Sequence, residues 1–145
     1  FAGRDLSLAP ELVAARPAIR SYLGRDVALG LRPESLRDPS LEPAAPPNRR
    51  LHGRVATTEA LGFEQLVHVE IAAVPVVTAE VMEIAADVDA TAVGELEAEQ
   101  REHRAVLVGR FPTGSRVALG DEVELVVDCT KLHLFDLDTG AAIGG

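Results

Sequence analysis

Gln65-Leu66-Val67-His68-Val69-Glu70-Ile71 alternates residue by residue: Val67, Val69 and Ile71 share one face, and Leu66, His68 and Glu70 share the other. That is the period of a β-strand with one buried side. Just upstream, Arg54-Val55-Ala56-Thr57-Thr58 runs into Leu61-Gly62-Phe63. Gly62 stands where a tight turn needs a residue that tolerates positive φ, so the two runs predict a β-hairpin.

Working outward from the hairpin, Val27, Leu29 and Leu31 alternate as on a second half-buried strand, which Pro33 ends. Residues 38–50 hold Pro39, Pro43, Pro46, Pro47 and Asn48 and read as an exposed connection, because proline cannot donate to a sheet ladder. Residues 1–25 offer one or two turns of helix around Glu11 to Arg16. On the far side, residues 76–103 change in kind. Eight acids (Glu80, Glu83, Asp87, Asp89, Glu95, Glu97, Glu99 and Glu102) face one base, Arg101, and Val81, Ile84, Val88, Val93 and Leu96 recur at helical spacing. This predicts a helical insert, broken near Asp87 to Asp89, whose acidic face is solvated. Strands resume at 105–108 and, after a turn at 112–115, at 122–128. Short strands punctuated by Gly and Pro, with one helical insert, predict a mainly β chain forming a closed or nearly closed small barrel, 1–145 forming one domain.

Composition narrows the function. Among 145 residues the net charge is −9 and aromatics are 3%, with no Trp and one Tyr. A polyanion would meet a repelling field and few stacking platforms, so nucleic acid is not expected as a partner. No apolar run approaches the roughly 20 residues of a membrane-spanning helix. Cys129 is alone, which rules out an internal disulfide and favours a reducing, cytoplasmic compartment. Lys131 is the only lysine against 13 arginines, and its neighbours are Thr130 and Leu132, so no phosphate loop can be written. The chain starts at Phe1 and its sole methionine is Met82, which suggests a piece of something longer.

Four stretches resemble one family. Leu29-Gly30-Leu31-Arg32-Pro33-Glu34 resembles the strand-ending signature of the regulatory domain of sugar-importing ABC transporter ATPases, the maltose and glycerol-phosphate importers among them. Glu59-Ala60-Leu61-Gly62 with Val67-His68-Val69 is similar to that family's hairpin. Arg116-Val117 with Leu119-Gly120-Asp121 resembles its turn, and Leu132-His133-Leu134-Phe135-Asp136 with Thr139-Gly140 its closing motif. The resemblance implies an oligosaccharide-binding-type (OB-fold-like) barrel of the TOBE kind, lying after an ATPase domain that this chain does not contain. It implies a non-enzymatic regulatory and dimerisation role, with ATP and Mg held in the missing domain and no cofactor here. The implied partners are a second copy of the subunit, membrane subunits reached through the ATPase domain, and cytoplasmic regulators, all at the cytoplasmic face of the membrane. The acidic insert is longer than the matching hairpin of the enteric maltose member, so no partner surface carries over there. The rival reading is a small-ligand barrel, like the oxyanion-binding relatives that hold molybdate between subunits with backbone N–H groups and Ser, Thr and Lys side chains. Negative charge disfavours it.

The residues singled out are Arg32, Pro33, Glu34, Gly62, His68, Gly120, Asp121, His133, Phe135 and Asp136. Arg32 and Glu34 are expected to form a local ion pair beside the strand-stopping Pro33, or to contact a partner. His68 and His133 are read as partly buried strand histidines. Four scattered histidines and one cysteine give no ligand spacing, so no metal is expected. Asp121 reads as a turn residue whose carboxylate accepts backbone N–H bonds, and Cys129 as a small apolar filler. Asp136 and Asp138 lack the closing Glu of a calcium loop. Asp87 and Asp89 suit helix capping better than acid–base catalysis.

Overall fold

The computed structural model describes residues 1–77, 87 and 90–144. Seven strands are described: β1 (Val27–Gly30), β2 (Leu36–Arg37), β3 (Arg50–Ala60), β4 (Glu64–Ile71), β5 (Ala105–Pro112), β6 (Glu122–Val127) and β7 (His133–Asp136). Five of them form one antiparallel sheet in the order β2-β6-β3-β4-β5, and β1 pairs with β7 in a separate ribbon. Helix α1 (Pro10–Ala15) has proline at its first position, where the missing N–H costs nothing, and is followed by a 3-10 turn at Pro17–Tyr22.

The long strand β3 organises the sheet. Its first half pairs with β6 (Arg50↔Val126 through Arg54↔Glu122) and its second half with β4. The register slips between Val55 and Thr57, leaving Ala56 as the extra residue of a bulge that bends the strand. Just before the bulge, a β-carbon at Gly53 would collide with Glu70 O and lie 2.6 Å from Val69 Cγ1, so only glycine lets β3 turn this tightly over β4. The sheet curls until its two ends meet. A β-carbon at Gly109 in β5 would sit 3.3 Å from Leu36 O in β2. No ladder bonds join these two strands, so the barrel is nearly closed, with one seam.

Inside lie Leu36, Leu51, Val55, Val67, Val69, Phe111, Leu125, Val127 and Leu132, each at most 1% exposed. Each contributes about 1.5–3 kcal/mol through burial. Val67, Val69 and Ile71 do face this core, and Gly62 adopts φ 89° in the hairpin turn. Cys129 is buried, and burial pushes its thiol pKa up, as suits an apolar filler.

The helical insert is described in part. Helix α2 (Ala90–Arg101) forms, but Val81, Ile84, Val88 and Asp89 lie outside the described residues, and Asp87 is helical and exposed. Residues 76 and 77 are not helical. The described side chains of α2 are all exposed or half-buried, consistent with a solvated helix. In the connection at 38–50, Asp38 is buried, and its Oδ1 accepts the Ser40 N–H at 2.8 Å. Only its remaining stretch is as open as the prolines suggest.

Candidate functional site

The β1–β7 ribbon joins the first and last of the four sequence motifs. Leu29 faces Leu134 and Gly30 faces His133. Gly30 is glycine because a β-carbon there would lie 2.9 Å from Phe135 Cε2. The chain leaves β1 through Arg32 into a 3-10 turn at Pro33–Ser35, and it enters β7 from a turn at Asp128–Lys131. Antiparallel pairing therefore sets these two turns side by side.

A cleft of about 320 Å³ opens between them, lined by Arg16, Arg32, Glu34, Ser35, Thr130, Lys131 and His133. Arg16 reaches it from the end of α1, where its Nη1 donates to Leu132 O at 3.0 Å. Asp128 shapes the second turn: its Oδ1 accepts the Thr130 hydroxyl at 2.6 Å and the Thr130 N–H at 3.2 Å. Its Oδ2 lies 3.0 Å from Arg37 Nη2 and 3.5 Å from Lys131 Nζ. Burial raises the Asp128 pKa, but the bonds from Thr130, with Arg37 and Lys131 nearby, outweigh that and hold it below the usual carboxylate value. Ser35 is wholly buried, and its hydroxyl has no hydrogen-bond partner.

Three of the ten singled-out residues, Arg32, Glu34 and His133, thus share this cleft. The ion pair expected between Arg32 and Glu34 is not formed. Both side chains are exposed, and solvent removes most of the gain from pairing them. Pro33 opens the 3-10 turn as a strand stop should. Arg16, Ser35, Thr130 and Lys131 are additions that only the fold brings in; the one signal for them in the sequence is that Lys131 is the sole lysine.

The other singled-out residues lie elsewhere. Phe135 and Asp136 line an open groove of about 880 Å³ with Val27, Leu29, Val74 and Leu107. Asp136 is committed: its Oδ1 accepts the Asp138 and Thr139 N–H groups and the Thr139 hydroxyl, and its Oδ2 accepts the Tyr22 hydroxyl. The Tyr22 bond, followed by those from Thr139, holds its pKa below the carboxylate norm. Arg25 completes the cluster, 3.7 Å from Asp136 and stacked over the Tyr22 ring at 4.8 Å. Gly120 adopts φ 87°, and Asp121 Oδ2 accepts the Ala118 N–H at 2.9 Å, so that turn holds itself. His68, half-buried on the hairpin, has Nε2 2.7 Å from Glu59 Oε1, close enough for an ion pair but off the direction of a hydrogen bond. Among the described residues no group of His, Cys, Asp or Glu is placed to hold a metal ion, and no helix is long and apolar enough to cross a membrane.

A curled five-stranded sheet with a bulged central strand and a flanking ribbon defines a small barrel of the oligosaccharide-binding type. Residues 29–98 match the TOBE domain family. That stretch of the chain resembles a TOBE domain, and the chain as a whole is similar to ATP-binding proteins of sugar importers. It is 32% identical over 142 residues to the trehalose import ATP-binding protein SugC of Mycobacterium tuberculosis, in strains CDC 1551 and H37Rv, covering 94% of this chain and 33% of that protein. It is also 32% identical over 123 residues to the trehalose/maltose import ATP-binding protein MalK of Thermococcus litoralis, covering 84% of this chain and 25% of that protein. The chain therefore spans a third or less of the length of these relatives.

Proposed function

We propose that this chain is the regulatory and dimerisation domain of the ATP-binding subunit of a carbohydrate importer. The observation that carries the reading is its similarity, over 94% of its length, to a trehalose import ATP-binding protein. In this reading ATP and Mg²⁺ are bound by another part of the subunit, in keeping with relatives that are ATP-binding proteins and of which this chain spans a third or less. The barrel's own work is association. It holds two copies of the subunit together while their ATPase halves open and close, and it receives signals from cytoplasmic regulators. The assembly sits at the cytoplasmic face of the membrane, where the ATPase domains engage the membrane subunits.

The test compares the intact importer subunit with one lacking these 145 residues, by light scattering and ATP hydrolysis. The truncated subunit should keep nucleotide binding and lose the mass of a dimer. An unchanged mass, or ATP hydrolysis by the 145-residue chain alone, overturns the reading.

A further inference from the structure

The charge of −9 is unevenly distributed. Eight carboxylates fall within 76–103, whereas the cleft beside the β1–β7 ribbon gathers Arg16, Arg32 and Lys131 against one carboxylate, Glu34. Three cations less one lining anion leave a formal +2, the Asp128 carboxylate 3.5 Å from Lys131 being matched by Arg37 at 3.0 Å, with His133 beside them as a further donor. We infer that this cleft binds the phosphate group of a small, hydroxyl-rich phosphate monoester, of the hexose phosphate class.

Charge is the first reason. A phosphate monoester carries roughly −1.5 to −2 at neutral pH and presents three strong acceptor oxygens, matching the sign and size of the local excess. Availability is the second. Among the described residues the Arg32 and His133 side chains have no hydrogen-bond or ion-pair partner. Arg16 uses one N–H on Leu132 O and keeps the rest, and Lys131 has only its 3.5 Å approach to Asp128. Guanidinium groups left with free N–H donors suit a phosphate's fork of oxygens. The third reason is Ser35. A wholly buried hydroxyl without a partner is costly, and Ser35 lies against this cleft, so a small side-chain shift on ligand entry would give it the acceptor it lacks.

Size and the remaining polar groups select the rest of the ligand. About 320 Å³ lies at the lower end of small-ligand sites and equals the share of roughly ten waters, more than a bare phosphate fills. The Thr130 hydroxyl already donates to Asp128, so toward the cleft it acts as an acceptor. Glu34 is an acceptor as well. Two acceptors beside a cationic centre fit the hydroxyl groups of a sugar attached to the phosphate. The site lies within a single chain and is independent of the importer role.

Calorimetric titration of the 145-residue chain with a hexose 6-phosphate, the free hexose and inorganic phosphate tests this. The ester should bind one to one and about tenfold more tightly than inorganic phosphate, and the free hexose should give no saturable heat. Arg32→Ala and Lys131→Gln should each weaken the ester about tenfold without moving the melting temperature, since both side chains are exposed. Glu34→Gln should tighten inorganic phosphate severalfold by removing the repelling charge that lines the cleft. Inorganic phosphate bound as tightly as the ester would overturn the sugar part and name free phosphate as the ligand. No saturable binding of either, or ester binding unaltered in the Arg32→Ala/Lys131→Gln double variant, overturns the site.

Discussion

The Tyr22 hydroxyl donates to Asp136 Oδ2 at 2.9 Å, across 114 residues of sequence. This bond ties the segment ahead of β1 to the turn after β7, and Arg16 reinforces it through its bond to Leu132 O. Tyr22 is the chain's only tyrosine, so its ionisation can be followed by phenolate absorbance without overlap. Donation to Asp136 favours the neutral phenol and raises the Tyr22 pKa above its ordinary value. The native chain should titrate above about 10, and Asp136→Asn should bring the midpoint back toward that value. A native midpoint at or below the ordinary phenol value would refute the pairing.

Three carboxylates set the acid limit. Asp136 is held low by Tyr22. Asp38 and Asp128 are raised by burial but lowered further by hydrogen bonds, from Ser115 and Ser40 in one case and from Thr130 in the other. A depressed folded pKa contributes stability that is fully present above the unfolded value, about 3.9, and is lost as pH falls through the folded value below it. Thermal melts should therefore be flat with respect to these groups from neutrality to about pH 5 and decline steeply below pH 4. Thr130→Val, which removes one bond to Asp128, should make that decline shallower.

Two glycines should respond differently to alanine. At Gly53 the added methyl meets Glu70 O and the side chains of Val69 and Ile71, so overpacking should cost at least about 2 kcal/mol in urea unfolding. At Gly62 the space is open and the penalty is only the left-handed backbone, about 1 kcal/mol. A larger loss at Gly62 than at Gly53 would contradict the strand crossing described here.

The insert between β4 and β5 should be removable. Ile71 and Ala105 are direct partners in the ladder, so residues 72–104 leave the sheet and return at a single point. Loop-closure entropy grows slowly with length, and the described part of α2 buries little. Replacing residues 74–102 with a short Asn-Gly link should leave the melting temperature within about 5 °C of the native chain. If the same replacement abolishes dimerisation of the full subunit, the insert is an interface; an unchanged mass leaves it a solvated helix.

The hairpin was legible because its information is local: the alternation of Val67, Val69 and Ile71 and the placement of Gly62 both lie within a dozen residues. Asp121 was legible for the same reason, since its carboxylate serves a backbone N–H three residues away. The bulge at Ala56 was not, because it arises from β3 pairing with β6 on one side and β4 on the other. The cleft was harder still. Arg16, Arg32 and Lys131 are separated by up to 115 positions and meet only because β1 and β7 pair. Arg32 and Glu34, neighbours that invited an ion pair, stay apart in solvent. Net charge is uninformative in the same way, since a sum over the chain carries no record of where the acids are placed.

The coincidence of exit and re-entry at Ile71 and Ala105 makes the barrel a socket with one interchangeable fitting. Whatever is grown from that point, whether a short turn or a long acidic arm, inherits a rigid mount and leaves the shape of the mount untouched. Diversification of such modules should accumulate there, while the ribbon across the shared groove keeps its spacing.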